Sequence, residues 1–180
     1  DLASVALNRN LREIDDYTFY GCASLTDVSL PIRLRSIGRS AFYKCSLLET
    51  LDTVGTEITS IGDYAFYECQ SLSEVAFEET LEKIGDYAFY NNVSLTEVSF
   101  PSSLKEIGDR SFYKCSGITN LNFGGGVEKT GDSAFAYCEG LTSVTIPSSM
   151  KIIGDRAFYK CPNVEEINLS DGIKEIGHYA

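Results

Sequence analysis

The sequence contains no tryptophan, one histidine, one methionine and no long apolar segment. A bilayer-spanning helix needs roughly 18 or more consecutive apolar residues, and no run in this sequence approaches that length. Residues 1–5 also lack the basic segment and apolar stretch of a secretory signal peptide. We therefore expect no membrane insertion and no signal peptide within this sequence, so localisation has to be inferred from other features.

Positive charge is also scarce. The sequence has 26 Asp and Glu but only 15 Lys and Arg, which gives a formal net charge of -11. Residues 45–82 form an acidic band with nine acidic side chains and no Lys or Arg. Because the phosphate backbone is itself polyanionic, the composition excludes nucleic acid as a partner. The acidic band is open to two interpretations: a site for a basic partner or divalent cations, or, more commonly, a solvated charged surface.

The usual parts of an active site are missing. The one histidine, His178, lies near the C-terminal end, where a nucleophile, base and acid triad would depend on a segment prone to fraying. The triplet Gly124-Gly125-Gly126 lacks the following Lys and Ser or Thr of a phosphate-binding loop, so it indicates a wide turn. We predict a protein that is not an enzyme and that has no cofactor.

What the sequence does contain is a repeat. The pattern I-G-D-x-A-F-Y-x-C-x-x-L-x-x-V-x-F-P-x-x-L-x-x recurs at intervals of 23 residues, with one interval of 24 caused by an extra residue between Asp52 and Glu57. Such regularity is typical of a solenoid, in which one repeat forms one coil. The first position of the pattern falls at Ile14, Ile37, Ile61, Ile84, Ile107, Thr130, Ile153 and Ile176.

Each repeat carries an invariant phenylalanine, five residues after its first position. Because a bulky apolar side chain recurs at the same position of each repeat, we predict an interior ladder of phenylalanines. Its members are Phe19, Phe42, Phe66, Phe89, Phe112, Phe135 and Phe158. The apolar series Leu72, Val75 and Phe77 ends in the alternation of a half-buried strand. In the other half, Gly permits a tight or left-handed turn and Asp can cap a short helical segment.

One coil cannot bury its apolar side alone, so neighbouring coils must stack. We therefore predict a repeat solenoid of the α/β leucine-rich-repeat type. It should contain about seven coils, each with one short parallel strand and a short helical or 3₁₀ segment. Residues 1–180 are expected to form a single solenoid, a fragment of a longer array, since both ends lie within repeats.

Two segments carry a resemblance to a known family: I-G-D-R-A-F-Y-K-C at 153–161 and L-T-S-V-T-I-P at 141–147. They resemble the BspA-type (Treponema-type) leucine-rich repeat, and the resemblance covers nearly the whole chain. It implies a bacterial or protozoan cell-surface or secreted protein, often adhesive, without enzymatic activity in the repeats. Minor departures are Asn92 in place of Cys, Thr130 in place of Ile and Ala136 in place of Tyr.

The six cysteines share one repeat position, as do most of the aspartates. Parallel side chains about 4.8 Å apart are too far for an unstrained disulfide, which favours buried free thiols over adjacent disulfides or a metal site. The cysteines are Cys22, Cys45, Cys69, Cys115, Cys138 and Cys161. The aspartates favour helix caps over a calcium site; they are Asp16, Asp63, Asp86, Asp109, Asp132 and Asp155.

Tyrosines also recur in phase, directly after the phenylalanines, and form a predicted aromatic stripe. They can cover the solenoid surface or contact a protein or glycan, and we favour the first. Six of them are Tyr20, Tyr43, Tyr67, Tyr90, Tyr113 and Tyr159.

The outward strand positions form the predicted ligand-binding face, which is polar, acidic and free of aromatic anchors. We expect weak or multivalent binding of a host matrix or cell-surface protein there. Two alternatives remain: a structural spacer or rod that associates end to end, and a carbohydrate-binding module. The predicted face consists of Asp27, Thr50, Glu74, Glu97, Asn120, Ser143 and Glu166, with Ser29, Asp52, Ala76, Ser99, Asn122, Thr145 and Asn168 beside them.

Overall fold

The computed structural model describes residues 2–180 as eight stacked coils, each with a three-residue strand followed by a two-residue strand. Numbered along the chain, the strands are β1 (Ser4–Ala6), β2 (Glu13–Ile14), β3 (Asp27–Ser29), β4 (Ser36–Ile37), β5 (Thr50–Asp52), β6 (Ser60–Ile61), β7 (Glu74–Ala76), β8 (Lys83–Ile84), β9 (Glu97–Ser99), β10 (Glu106–Ile107), β11 (Asn120–Asn122), β12 (Lys129–Thr130), β13 (Ser143–Thr145), β14 (Ile152–Ile153), β15 (Glu166–Asn168) and β16 (Glu175–Ile176).

The two kinds of strand are paired differently. The short strands form one continuous parallel sheet of eight strands, from β2 to β16 in chain order. The long strands pair only two by two, as β1 with β3, β5 with β7, β9 with β11 and β13 with β15. The parallel solenoid is confirmed, but each coil contributes two strands, not the one that was predicted.

The predicted phenylalanine ladder is confirmed. Phe42, Phe66, Phe89, Phe112 and Phe135 have no exposed surface. The ring centroids of neighbouring coils lie 5.0–5.5 Å apart with the rings stacked. A second, shorter stack packs edge-on against it, made of Phe77, Phe100 and Phe123. Burial of these rings contributes to the apolar stabilisation of each coil, beside the buried Leu, Ile and Val side chains.

The predicted helical segment is wrong: residues 2–180 form turns there, with no helix and therefore none long and apolar enough to span a membrane. The backbone enters the left-handed region twice per repeat, for example at Tyr64 (φ 58°) and Glu68 (φ 55°). A left-handed residue every fourth position breaks the i to i−4 bonding that a helix requires.

Hydrogen bonds between coils compensate for this strain. The N–H groups of Tyr64, Phe66 and Glu68 donate to carbonyls of the next coil at 2.8, 2.7 and 2.8 Å. The same three positions donate in most of the other coils. Each left-handed residue costs roughly 1–2 kcal/mol, and the bond that it makes to the next coil holds it in place. The turns thus act as a third line of bonding along the stack.

The predicted roles of Gly and Asp in the I-G-D motif are also corrected. Gly85 has no left-handed φ; it is needed because a Cβ there would lie 2.6 Å from the backbone N of Asp63 in the preceding coil. This close approach lets Asp63 Oδ1 accept the N–H of Asp86 at 3.0 Å. Aspartates 16, 63, 86, 109, 132 and 155 therefore each cap the next coil, not a helix of their own.

The cysteines line one interior ladder, as predicted, and all six are free thiols. Five of them donate Sγ–H to the carbonyl of the Phe in the preceding coil, at 3.1–3.3 Å. Asn92 interrupts this ladder and is fully buried. Within residues 2–180, its amide nitrogen and oxygen and the Ser111 hydroxyl are the buried side-chain polar atoms without a hydrogen-bond partner.

Replacing Phe112 by Ala should lower the free energy of unfolding by about 3–5 kcal/mol, because the cavity opens in the middle of the ladder. Chemical denaturation followed by circular dichroism measures the loss. Glu106→Ala, on the exposed outer side of β10, is the control and should change stability by less than about 0.5 kcal/mol. Equal stability of the Phe112 variant and the parent would contradict a buried ladder.

Replacing Asn92 by Cys should raise the free energy of unfolding by about 1–3 kcal/mol, since it removes two unpaired polar atoms and supplies the thiol donor used by the other coils. Denaturation under reducing conditions measures the gain. The reverse change, Cys115→Asn, should be destabilising. A less stable Asn92 variant would show that the amide is satisfied in solution.

Candidate binding surface

The long strands present one polar face along the stack. In β3, β5, β9, β11 and β13 the middle residue is buried and the flanking residues are exposed, as for Val98 between Glu97 and Ser99. In β15 all three residues are exposed. This alternation is the period of two expected for a strand with one buried side. The seven predicted binding residues are therefore brought together as one exposed row: Asp27, Thr50, Glu74, Glu97, Asn120, Ser143 and Glu166.

The row is interrupted at intervals by the pattern of strand pairing. Thr50 pairs with Glu74, Glu97 with Asn120, and Ser143 with Glu166. No ladder joins β3 to β5, β7 to β9 or β11 to β13, although these strands are neighbours in the stack. The long-strand face is thus hydrogen-bonded less continuously than the short-strand sheet.

Three shallow depressions lie on this face and together form what we call the long-strand groove. The first, of about 420 Å³, spans β5, β7 and β9; the second, of about 450 Å³, spans β7, β9 and β11; the third, of about 380 Å³, spans β11 and β13. Each crosses a junction where the long strands are unpaired. The groove follows from the same interruption of backbone pairing.

Residues of the turn after the long strands complete the groove, and sequence reasoning did not assign them to it. Pro101, Ser102, Gly124, Gly125 and Pro147 line its side. Gly124 has φ +60°, and a Cβ there would lie 1.9 Å from the carbonyl oxygen of Phe100. Only glycine fits that position. The triplet of glycines was a signal for this tight turn, although it was interpreted only as a wide turn.

Charge on the face is one-sided. Glu49, Asp52, Glu74 and Glu97 are exposed and make no ion pair within residues 2–180. The three-residue strands that form this face carry no Lys or Arg. The ion pairs of the described chain lie on other sides: Arg35 with Glu57 at 2.9 Å, Arg39 with Asp63 at 3.5 Å, Lys44 with Glu68 at 3.5 Å and Lys105 with Glu128 at 3.8 Å. The part of the groove lined by Asp52, Glu74 and Glu97 is therefore acidic, and these carboxylates have no ion-pair partner within residues 2–180.

The tyrosines of the turns pack on one another. Centroids of Tyr20, Tyr43, Tyr67, Tyr90 and Tyr113 lie 4.6–5.0 Å from their neighbours, with rings nearly parallel. Partial burial in this stack raises the pKa of Tyr67 to about 12. A sugar would need a free ring face to stack on, but the faces of the central rings are covered. This geometry favours the structural role over glycan recognition.

Basic side chains cover part of the same side. Arg39 and Arg110 lie over the rings of Tyr64 and Tyr87, at 5.0 and 5.4 Å from the ring centroids. Such cation–π contacts are worth about 0.5–1 kcal/mol at exposed sites. The aspartate row beside them uses one oxygen of each carboxylate for the next coil, and residues 2–180 contain no group of three or more potential metal ligands.

The thiols are poorly suited to nucleophilic chemistry. Burial raises the pKa of Cys115 to about 12 and of Cys161 to about 11, and it raises the pKa of Cys138 as well. A nucleophilic cysteine needs the opposite shift, toward the thiolate. His178 is exposed in the last coil, where its backbone N–H donates to Asp155.

Comparison with known proteins agrees with the repeat pattern. The family described as the BspA type leucine rich repeat region matches residues 1–116 and 59–180, in six copies. No curated protein sequence matches the chain.

Solved structures of bacterial repeat proteins share the fold. The Treponema pallidum leucine rich repeat protein is 28% identical, with a TM-score of 0.69, over 97% of this chain and 73% of that one. The leucine rich cell surface protein of Faecalibacterium prausnitzii is 24% identical, with a TM-score of 0.57, over 98% of this chain and 63% of its own. The pneumococcal vaccine antigen PcpA is 19% identical, with a TM-score of 0.65, over 97% of this chain and 58% of its own. The chain thus spans less than two thirds of the latter two.

We predict that iodoacetamide, at mildly alkaline pH, labels Cys22 in the folded protein well before Cys115 or Cys138, which should react only after unfolding. The reason is that alkylation needs both the thiolate and access to solvent. Mass spectrometry of a labelling time course measures the order. Equal labelling rates for Cys22 and Cys115 in the folded state would contradict the buried thiol ladder.

Proposed function

Because the chain belongs to the BspA-type leucine-rich repeat family, we propose that it is a non-enzymatic scaffold that binds a protein ligand on its long-strand face. The observation that carries this proposal is the long-strand groove, which holds three shallow depressions side by side on that face. A wide, shallow, polar surface suits a protein partner better than a small molecule, which favours an enclosed and mostly apolar pocket.

The seven residues of the predicted face would form the contact row. They are short and polar or acidic, with no Trp, Tyr or Arg of the kind that usually dominates interface energy. Each contact is therefore expected to be weak. Strong attachment would come from several coils, or several copies, engaging at once, since linked sites gain effective concentration without new contacts.

The absence of enzymatic activity is supported by the state of the candidate nucleophiles. Burial raises the pKa of Cys45, Cys115 and Cys138, which lie inside the stack. The one histidine is on the last coil, away from the groove. Within residues 2–180 no Ser, Thr or Cys side chain is hydrogen-bonded to the His178 imidazole, and the Ser102 hydroxyl that donates to Glu79 at 3.0 Å is exposed to solvent.

We propose a location at the cell surface or outside the cell. Two structures with the same fold are described as a cell surface protein and a vaccine antigen. An adhesive role would place the acidic long-strand face toward a host matrix protein or a protein on a neighbouring cell.

A capture experiment tests the proposal. The immobilised protein is exposed to purified extracellular-matrix proteins and cell-surface extract at two salt concentrations. The test variant combines Glu74→Lys, Glu97→Lys and Glu166→Lys on the long-strand face. The matched control combines Glu13→Lys, Glu106→Lys and Glu175→Lys, which make the same charge change on the exposed side of the short-strand sheet.

We expect saturable capture by the parent and the control, and loss of capture by the long-strand variant. Melting temperatures of both variants equal to that of the parent would show that folding is unaffected. If both variants bind as the parent does, or if both lose binding equally, the long-strand face is not the binding site.

A further inference from the structure

The acidic side chains of the long-strand groove lie in its first two depressions, the second of which is lined by Glu79. The first depression is lined by Asp52, Glu74 and Glu97 and by no basic side chain. None of the three carboxylates has an ion-pair partner within residues 2–180, whereas Glu57, Asp63 and Glu68 of the same acidic stretch are each paired on other sides of the coil. The carboxylates that line the first depression are therefore unneutralised, while these three others are paired elsewhere.

The opposite end of the groove is neutral. The third depression is lined by Asn120, Asn122, Gly124, Gly125, Thr145 and Pro147, together with the apolar Leu121 and Phe123. No acidic or basic side chain lines it. Small side chains and the glycine turn leave room for a ligand backbone to approach closely there.

The dimensions of the groove limit what can lie in it. From β5 to β13 there are four coil steps, which at roughly 4.8 Å each make about 19 Å. An extended polypeptide advances about 3.3 Å per residue, so about six residues fill that length. Side chains two residues apart point the same way about 6.6 Å apart, so two of them fit over the roughly 10 Å that the two coil steps from β5 to β9 span along the stack axis.

We infer that the long-strand groove binds an extended polypeptide segment of about six residues, lying across the strands and parallel to the axis of the stack. The segment carries Lys or Arg at positions i and i+2 over Asp52, Glu74 and Glu97, and small uncharged residues over Gly124 and Thr145. This inference rests on the proposed function. It specifies the chemistry of the partner segment and the end of the groove at which its basic residues lie. Charge complementarity sets which end of the segment lies where, and small residues at the other end avoid a clash.

The probes are two short synthetic peptides of equal composition. One has alternating Lys and Ser at its N-terminal half and Gly, Ser and Asn at its C-terminal half; the other has the two halves exchanged. A third peptide, with Glu in place of Lys, is the charge control. Fluorescence anisotropy measures affinity, and a nitroxide on the uncharged end of each peptide locates that end by line broadening in the NMR spectrum of the protein.

We expect the Lys peptides to bind and the Glu peptide not to bind. Glu74→Gln combined with Glu97→Gln should weaken binding about tenfold, in line with the loss of two exposed charge pairs. The matched control, Glu13→Gln with Glu106→Gln, should leave affinity unchanged. Binding should also be lost at about 1 M salt, where the Debye length is about 3 Å.

The nitroxide distinguishes binding in a defined position from non-specific attraction between a basic peptide and an acidic protein. In both Lys peptides the uncharged, labelled end should broaden Gly125 and Thr145 and spare Asp52, so the two peptides should bind in opposite chain directions. Broadening around Asp52, equal broadening everywhere, or equal loss of affinity in the control variant would each overturn the inference.

Failure of this inference can be told apart from failure of the proposed function. If a captured matrix protein is released by Asn120→Lys with Ser143→Lys but not by Glu74→Gln with Glu97→Gln, the long-strand face binds a ligand and the basic segment is wrong. If none of the peptides binds to the parent at low salt, the inference fails whatever the capture experiment shows.

Discussion

The structure depends on one constraint: each coil covers its phenylalanine with the phenylalanine of the next coil. The rings lie 5.0–5.5 Å apart, and the N–H of most of these residues donates to the neighbouring coil at 2.7–2.9 Å. Both interactions require the repeats to stack in register, so a residue type that recurs in the sequence becomes a row in space. The cysteine, aspartate and tyrosine rows and the exposed row of the long strands all follow from it.

The same stacking explains where the surface can open. Two sides of each coil are joined to the next by continuous backbone bonding, through the short-strand sheet and through the turns. The long strands are joined only two by two, and the groove crosses the unpaired junctions. Stability is therefore concentrated on the sides that bear the invariant residues, and the variable outward positions of the long strands are free to differ from coil to coil. A face of this kind can change its ligand without changing the fold.

The features that follow from the 23-residue repeat and from the alternation of residues in a strand could be predicted from the sequence. The position within the repeat was enough to predict the buried phenylalanine rings. It also predicted that Glu74 and Glu97 point outward, because the residue next to an inward-facing position of a strand must lie on the opposite side. The left-handed turns could not be predicted, since Tyr64 and Glu68 carry no mark of positive φ and are held by partners in the next coil. The groove was missed for a related reason: no feature of a single repeat marks which long strands pair, since Glu74 pairs with Thr50 but not with Glu97.

Amide hydrogen exchange tests the central claim of in-register stacking most directly. The account predicts that the Phe66, Phe89 and Phe112 amides, whose N–H groups are bonded to the next coil, exchange only through global unfolding and have the same large protection. Gly125, exposed and without such a bond, should exchange rapidly. If these phenylalanine amides exchange as fast as Gly125, the coils are not held together by the bonds described here, and the rows built on them lose their basis.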